Sequence, residues 1–187
     1  ALLKKIENCA LKQCRIAVVF SNNPNPKGLE YAANAGIKTI IIPSKNRDDR
    51  KEYDKEIIDA LAEYDIDLIC LAGYMRIVTS ELVEAYKNNI MNIHPALLPS
   101  FPGLHAQKQA LDYGVKVSGC TVHFVECGMD TGAVILQKTV PVYDNDTEDT
   151  LSARILEQEH TAYTEAVALY AAGRLKVSGR KVGVLDK

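Results

Sequence analysis

No stretch of this 187-residue chain approaches the roughly 20 consecutive apolar residues that a membrane-spanning helix needs. The amino terminus also lacks the charged-then-apolar pattern of a secretory signal. Cysteine is sparse: Cys9, Cys14, Cys70, Cys120 and Cys127 are an odd set, without a CxxC pair or a histidine spacing suited to zinc. Neither a disulfide framework nor a metal site is expected, and the expected compartment is the reducing cytoplasm. Charge of neither sign dominates, and a formal net charge of -2 argues against a general nucleic-acid binder. A local basic patch for an anionic small molecule is still compatible with it. GxSxG, HExxH, GxGxxG and GxxxxGK[ST] are all missing, so a serine hydrolase, a zinc protease and the common nucleotide cradles fit poorly.

Apolar residues make up 47% of the chain and charged residues 25%, enough for one sizeable core. Without repeats or long linkers, residues 1–187 are expected to form a single domain. Short apolar runs alternate with helical patterns, the signature of βα units and an α/β fold with a mostly parallel sheet. Strands are expected at Arg15 to Phe20, Lys38 to Ile42, Ile66 to Gly73, Asn89 to His94, Val115 to Val125 and Ala133 to Val140. Helices are expected at Gly28 to Ala35, Asp48 to Tyr64, Ser80 to Tyr86 and His105 to Tyr113, with a long one from Thr147 to Ala172 closed by Gly173. Ala1 to Lys12 also reads as helix, with no strand before it.

The most informative passage is Asn92-Ile93-His94-Pro95-Ala96-Leu97-Leu98-Pro99-Ser100-Phe101-Pro102-Gly103. Alternate residues of an extended segment share a side, so the Asn92 carboxamide and His94 imidazole are expected to converge. Pro95 holds His94 extended, at the carboxyl end of a buried strand, where open α/β sheets bind ligands. Loop hydrogen bonding by Asn92 and a satisfied core histidine at His94 account for the same residues equally well from the local sequence.

Three further features are candidates. In Thr121 to Gly132, strand alternation puts Thr121 and His123 on one face, followed by Asp130 in a glycine-bracketed loop. Asp130 is either a turn former or, folded over the Asn92 and His94 pair, the group that orients the imidazole and raises its pKa for general acid–base work. Thr121 and His123 would support it, His123 alternatively being an exposed strand residue. On the long helix, Leu151, Ile155, Glu159, Tyr163 and Val167 form a ridge interrupted by a carboxylate, which either drifts to the rim, at about 40° per step, or meets a ligand amine or hydroxyl. Gly73-Tyr74-Met75-Arg76-Ile77-Val78 leaves a buried strand with an arginine between apolar groups. Its backbone is suited to reading a flat heterocycle against Met75, Ile77 and Val78, with Arg76 on a carboxylate or simply solvated.

Together these motifs resemble the folate-dependent formyltransferases, in particular the branch that formylates glycinamide ribonucleotide in purine synthesis. The resemblance runs from Ala1 to about Val177, and its most specific parts are Leu71 to Arg76, Asn92 to Gly103, and Gly119 to Asp130. It implies a Rossmann-like formyltransferase fold with an antiparallel carboxyl-terminal portion. It implies transfer of the formyl group of 10-formyltetrahydrofolate to a primary amine, with Asn92, His94 and Asp130 catalytic and no metal. Arg50, Met75, Arg76, Ile77, Val78, Asn92, Glu126 and Asp130 match the family's folate site; Glu159 matches its ribonucleotide side, where neighbouring Leu156 stands at a position that can carry a polar residue in the family. A 10-formyltetrahydrofolate hydrolase, a formyltransferase for another amine and an inert ligand-binding domain are the rival expectations. The expected partners are small molecules, without nucleic acid or membrane, for a monomer or homodimer. One departure is large: the family opens with a strand and a GxGSN loop that holds the substrate phosphate, and Ala1 aligns just after it. A longer natural protein, with that strand upstream, is therefore expected.

Overall fold

The computed structural model describes residues 1–8, 11–24 and 26–186, with the Lys27 side chain outside that description. Ile90 and Met91 are neighbours on strand β4 (Ile90–His94) and belong to opposite cores. Alternation on a pleated strand sends the two side chains to opposite faces. Ile90 packs among Ile42, Tyr53, Ile57, Leu61, Leu82 and Val83. Met91 packs among Cys120, Val122, Leu151, Ile155, Tyr163 and Val167. A strand buried on both faces needs helices on both, and these are supplied by α3 (Arg50–Leu61) and α4 (Ser80–Ala85) on one side and α6 (Glu148–Ala171) on the other.

The larger sheet runs β3 (Ile69–Leu71), β4, β5 (Val117–Phe124), β6 (Val134–Pro141), β8 (Lys181–Val184), β7 (Leu175–Ser178). β3 pairs parallel with β4, β5 is antiparallel to both of its neighbours, and β8 lies parallel to β6 and antiparallel to β7. A second sheet holds β1 (Val18–Ser21) parallel to β2 (Lys38–Ile41). The fold is thus Rossmann-like α/β with a mixed sheet. Among the described residues β1 and β3 do not pair, and a cavity of about 1360 Å³ lies between them. Val18, Phe20, Ile69 and Leu71 line it, with Leu61 and Tyr170 from the flanking helices.

The long helix begins where expected because its start is tied down twice. The Thr147 hydroxyl accepts from the Thr150 N–H and the Thr150 hydroxyl accepts from the Thr147 N–H, a reciprocal cap. Asp146, just before it, takes both arms of the Arg154 guanidinium at 2.8 Å. That pairing holds the Asp146 carboxyl well below the usual carboxylate range. Gly173, at φ +65, ends the helix.

Two sequence expectations change. The amino-terminal helix is α1 (Leu2–Glu7) instead of Ala1 to Lys12, and Cys9 and Ala10 lie outside the described residues. The β7–β8 hairpin after Gly173 was not anticipated, although Leu175, Val177 and Val182 alternate with polar residues and pack on the main core. The other helices are α2 (Lys27–Asn34) and α5 (Ala106–Tyr113).

Candidate active site

β4 delivers Asn92 and His94 to its carboxyl end between β3 and β5, where Asn92 stands opposite Leu71 on one neighbour and His123 on the other. The segment after His94 is held from beneath by one hydroxyl. Thr121 Oγ1, fully buried on β5, donates to the Ala96 carbonyl at 2.7 Å and accepts from the Leu98 N–H at 3.0 Å. It also accepts from Gln137 Nε2 at 2.9 Å, and the same amide nitrogen donates to the Leu98 carbonyl. That uses the hydroxyl's donor and both of its acceptor sites, so the loop path is fixed by chemistry as well as packing. Gln137 was not identified from the sequence; its only signal is that it stands opposite Thr121 on the paired strand.

His94 is buried, and its two ring nitrogens have different partners. Nε2 lies 2.8 Å from the Phe101 carbonyl, which can only accept, so Nε2 carries a hydrogen. Nδ1 faces Asp130 Oδ2 at 3.4 Å. Asp130 is itself placed by the Gly103 N–H, which donates to Oδ2 at 2.8 Å, and it adopts φ +54. The loop carrying Asp130 closes tightly onto β5: a Cβ at Gly132 would stand 1.7 Å from the Phe124 carbonyl oxygen, so no side chain fits there.

His123 is buried, which removes the reading of it as an exposed strand residue. Its Nδ1 donates to the Phe124 carbonyl at 2.8 Å, its Nε2 accepts from Asn92 Nδ2 at 3.3 Å, and Nε2 is 3.8 Å from Asp130 Oδ1. Burial pushes its pKa below the usual histidine value, against the raising effects of the Phe124 carbonyl and the Asp130 carboxylate. Asn92, His123, Asp130 and His94 therefore form one chain of contacts, with Asp130 between the two imidazoles.

The segment after β3 is anchored by residues the sequence reading left unremarked. Buried Asp54 on α3 accepts from the Thr79 N–H at 2.6 Å. Tyr53, on the same helix, carries the Arg76 guanidinium over its ring at 4.9 Å. Arg76 donates to the Ser44 and Arg47 carbonyls, so its fork ties two loops together rather than standing solvated. Met75 is 73% exposed and Ile77 45%, but Val78 is buried in the α3–α4 core. Arg50, the first residue of α3, and Glu126, after β5, are exposed.

Glu159 lies on the α6 ridge, half-buried, and makes no hydrogen bond or ion pair with the described residues; burial raises its pKa. Leu156, one turn earlier, is exposed. Among the described residues no group of three or more His, Cys, Asp or Glu is arranged to hold a metal ion.

Chemically, a carboxamide donor, a buried imidazole and a carboxylate surround one point at a strand end. Such a set can stabilise an oxyanion and move a proton. Residues 1–167 match the formyl transferase family. The chain is 44% identical over 162 residues to the phosphoribosylglycinamide formyltransferase of Escherichia coli, covering 87% of this chain and 76% of that protein. It is 46% identical over 163 residues to the trifunctional purine biosynthetic protein adenosine-3 of Drosophila melanogaster, covering 87% of this chain and only 12% of that much longer protein. The crystal structure of glycinamide ribonucleotide transformylase 1 from Symbiobacterium toebii superposes with a TM-score of 0.95 at 46% identity, covering 99% of this chain and 87% of that one. The chain belongs to the formyl transferase family.

Proposed function

We propose that this chain transfers the formyl group of 10-formyltetrahydrofolate to the primary amine of glycinamide ribonucleotide, as a cytoplasmic enzyme of purine biosynthesis without a resident metal. The observation that carries the reading is the contact chain Asn92, His123, Asp130, His94 at the carboxyl end of β4. The amine nitrogen attacks the formyl carbon and the carbonyl electron pair moves onto oxygen. The second Asn92 N–H and the Nδ1 hydrogen of the protonated His94 ring stabilise that oxyanion. As the oxyanion collapses, the bond from carbon to the folate nitrogen breaks. His94 Nδ1 gives its hydrogen to that nitrogen and then takes up the proton lost by the amine, directly or by way of a water, which restores the imidazolium that Asp130 stabilises. No electrons are exchanged with any other group.

The folate lies against Met75 and Ile77 and the backbone of Val78, with Glu126 and Asp130 at its heterocycle. Arg50 is at its glutamate tail, and Arg76 orders the loops around it. Glu159, its carboxylate unengaged, receives the ribonucleotide beside Leu156. The partners are these small molecules, not nucleic acid or membrane, and the enzyme works as a monomer or homodimer.

The gap between β1 and β3 supports a further part of the reading. One extended apolar segment, supplied upstream of Ala1, pairs with both free edges to complete a single domain. Its following loop, beside Asn22 and Gly73, holds the substrate phosphate on backbone amides. The test is an assay of a chain extended upstream, with glycinamide ribonucleotide and with water as competing acceptors. Formyl transfer supports the reading; folate hydrolysis alone points to a hydrolase; binding without turnover points to an inert domain.

A further inference from the structure

Asn92 is useful to a developing oxyanion only if its nitrogen, not its oxygen, faces the reacting centre. A carboxamide has nearly the same shape either way round, so something must choose. Among the described residues, the only side chain that hydrogen-bonds Asn92 is His123. We propose that His123 is a positioning residue: its Nε2 lone pair accepts one Asn92 N–H, which keeps the amide nitrogen turned inward and leaves the second N–H for the formyl oxygen. The inference rests on the formyl-transfer reading above.

The geometry fixes which ring nitrogen is bare. Nδ1 is 2.8 Å from the Phe124 carbonyl, an acceptor only, so Nδ1 holds the hydrogen and Nε2 presents its lone pair to Asn92 at 3.3 Å. A flipped carboxamide would set Oδ1 against that lone pair, two acceptors facing each other. The imidazole itself cannot swing away, since β5 buries it to 2% exposure.

Protonation would undo the arrangement. The groups facing the ring are Asn92 and His94 from β4, and Glu126 and Asp130 from the loop after β5. With a hydrogen on Nε2, two donors would meet at Asn92. Nε2 would turn to Asp130 Oδ1, 3.8 Å away, and compete with His94 for the same carboxylate. Burial and the His94 charge oppose that state, so the bare-Nε2 form persists to lower pH than in an unburied histidine. Activity is lost on the acid side when it ends.

The test compares His123→Ala and His123→Gln in the chain extended upstream, with Asn92→Ala as the reference. The glutamine carbonyl can accept the same N–H, but it does not titrate. His123→Ala should lower kcat about tenfold or more, towards the roughly 10²–10³-fold cost of losing one oxyanion donor outright, and change the KM for the folate little. His123→Gln should recover most of that loss and shift the acid limb of the pH–rate profile. If His123→Ala does not fold, the glutamine variant's profile and the wild-type side-chain amide spectrum decide. One Asn92 Nδ2 proton should move downfield when His123 is neutral and return when it is protonated. A full-rate His123→Ala, a glutamine variant no better than alanine, or an Asn92 signal indifferent to pH overturns the inference. An Asn92→Ala variant as active as wild type instead overturns the formyl-transfer reading beneath it.

Discussion

His94 Nδ1 stands 3.4 Å from Asp130 Oδ2 while Nε2 of the same ring is held by the Phe101 carbonyl. One nitrogen is thus committed to a backbone acceptor, and the other is the only one that can take or give a proton at the site. In the neutral ring Nδ1 is a lone pair; in the cation it is a donor to Asp130. Nitrogen-15 spectra of the neutral form should show the hydrogen on His94 Nε2. A hydrogen on Nδ1 would mean that the Phe101 contact does not set the tautomer.

Asp130 is held by the Gly103 N–H through a carboxylate oxygen that an asparagine can reproduce in shape. Asp130→Asn is therefore expected to fold with an unchanged melting temperature and to lose about 10²-fold or more in kcat, the scale of one acid–base partner. Circular dichroism and steady-state assays check both halves, and turnover equal to wild type would remove Asp130 from the proton path.

Gly132 has no room for a methyl group, since its Cβ would lie 1.7 Å from the Phe124 oxygen. Gly132→Ala must push the Asp130 loop off β5, at a cost of about 1–3 kcal/mol for overpacking. Urea denaturation should show that loss, and turnover should fall with it because Asp130 moves. An alanine variant as stable as wild type would contradict the close approach.

Glu159 is an acid whose pKa burial raises above its ordinary 4.5. The folded state then holds the proton more tightly than the unfolded state, so this group favours folding below pH 4.5, and the benefit is lost as pH rises through the raised value. Glu159→Gln should accordingly melt higher than wild type at pH 7, and the difference should shrink to nothing below pH 4.5. Its KM for glycinamide ribonucleotide should rise. A lower melting temperature at pH 7 would show that the carboxylate has a stabilising partner.

Much of this arrangement was legible because it rests on local periodicity. Strand alternation put Asn92 with His94 and Thr121 with His123, and the four-residue ridge on α6 exposed Glu159 as its one carboxylate. What escaped the sequence depends on chain segments far apart. Gln137 reaches the Leu98 carbonyl across 39 residues, and Asp54 caps the Thr79 amide from an unrelated helix. Arg76 looked like a surface residue because its acceptors, the carbonyls of Ser44 and Arg47, are backbone atoms without a sequence signature. Val78 joins the α3–α4 core, and an apolar residue after a strand carries no sequence sign of which core it joins.

On the proposed reading, His94 Nδ1 carries the proton of a formyl transfer between folate and amine. Single-turnover measurement with a carbon-13 formyl donor and glycinamide ribonucleotide tests it most directly, comparing the upstream-extended wild-type chain with its His94→Ala variant. Label on the amine is expected for the wild type, and for the variant unchanged donor binding with transfer slowed about 10²-fold or more. Label reaching the amine at the wild-type rate without His94 would remove the imidazole from the transfer, and label reaching only water with it would rule the amine out as acceptor.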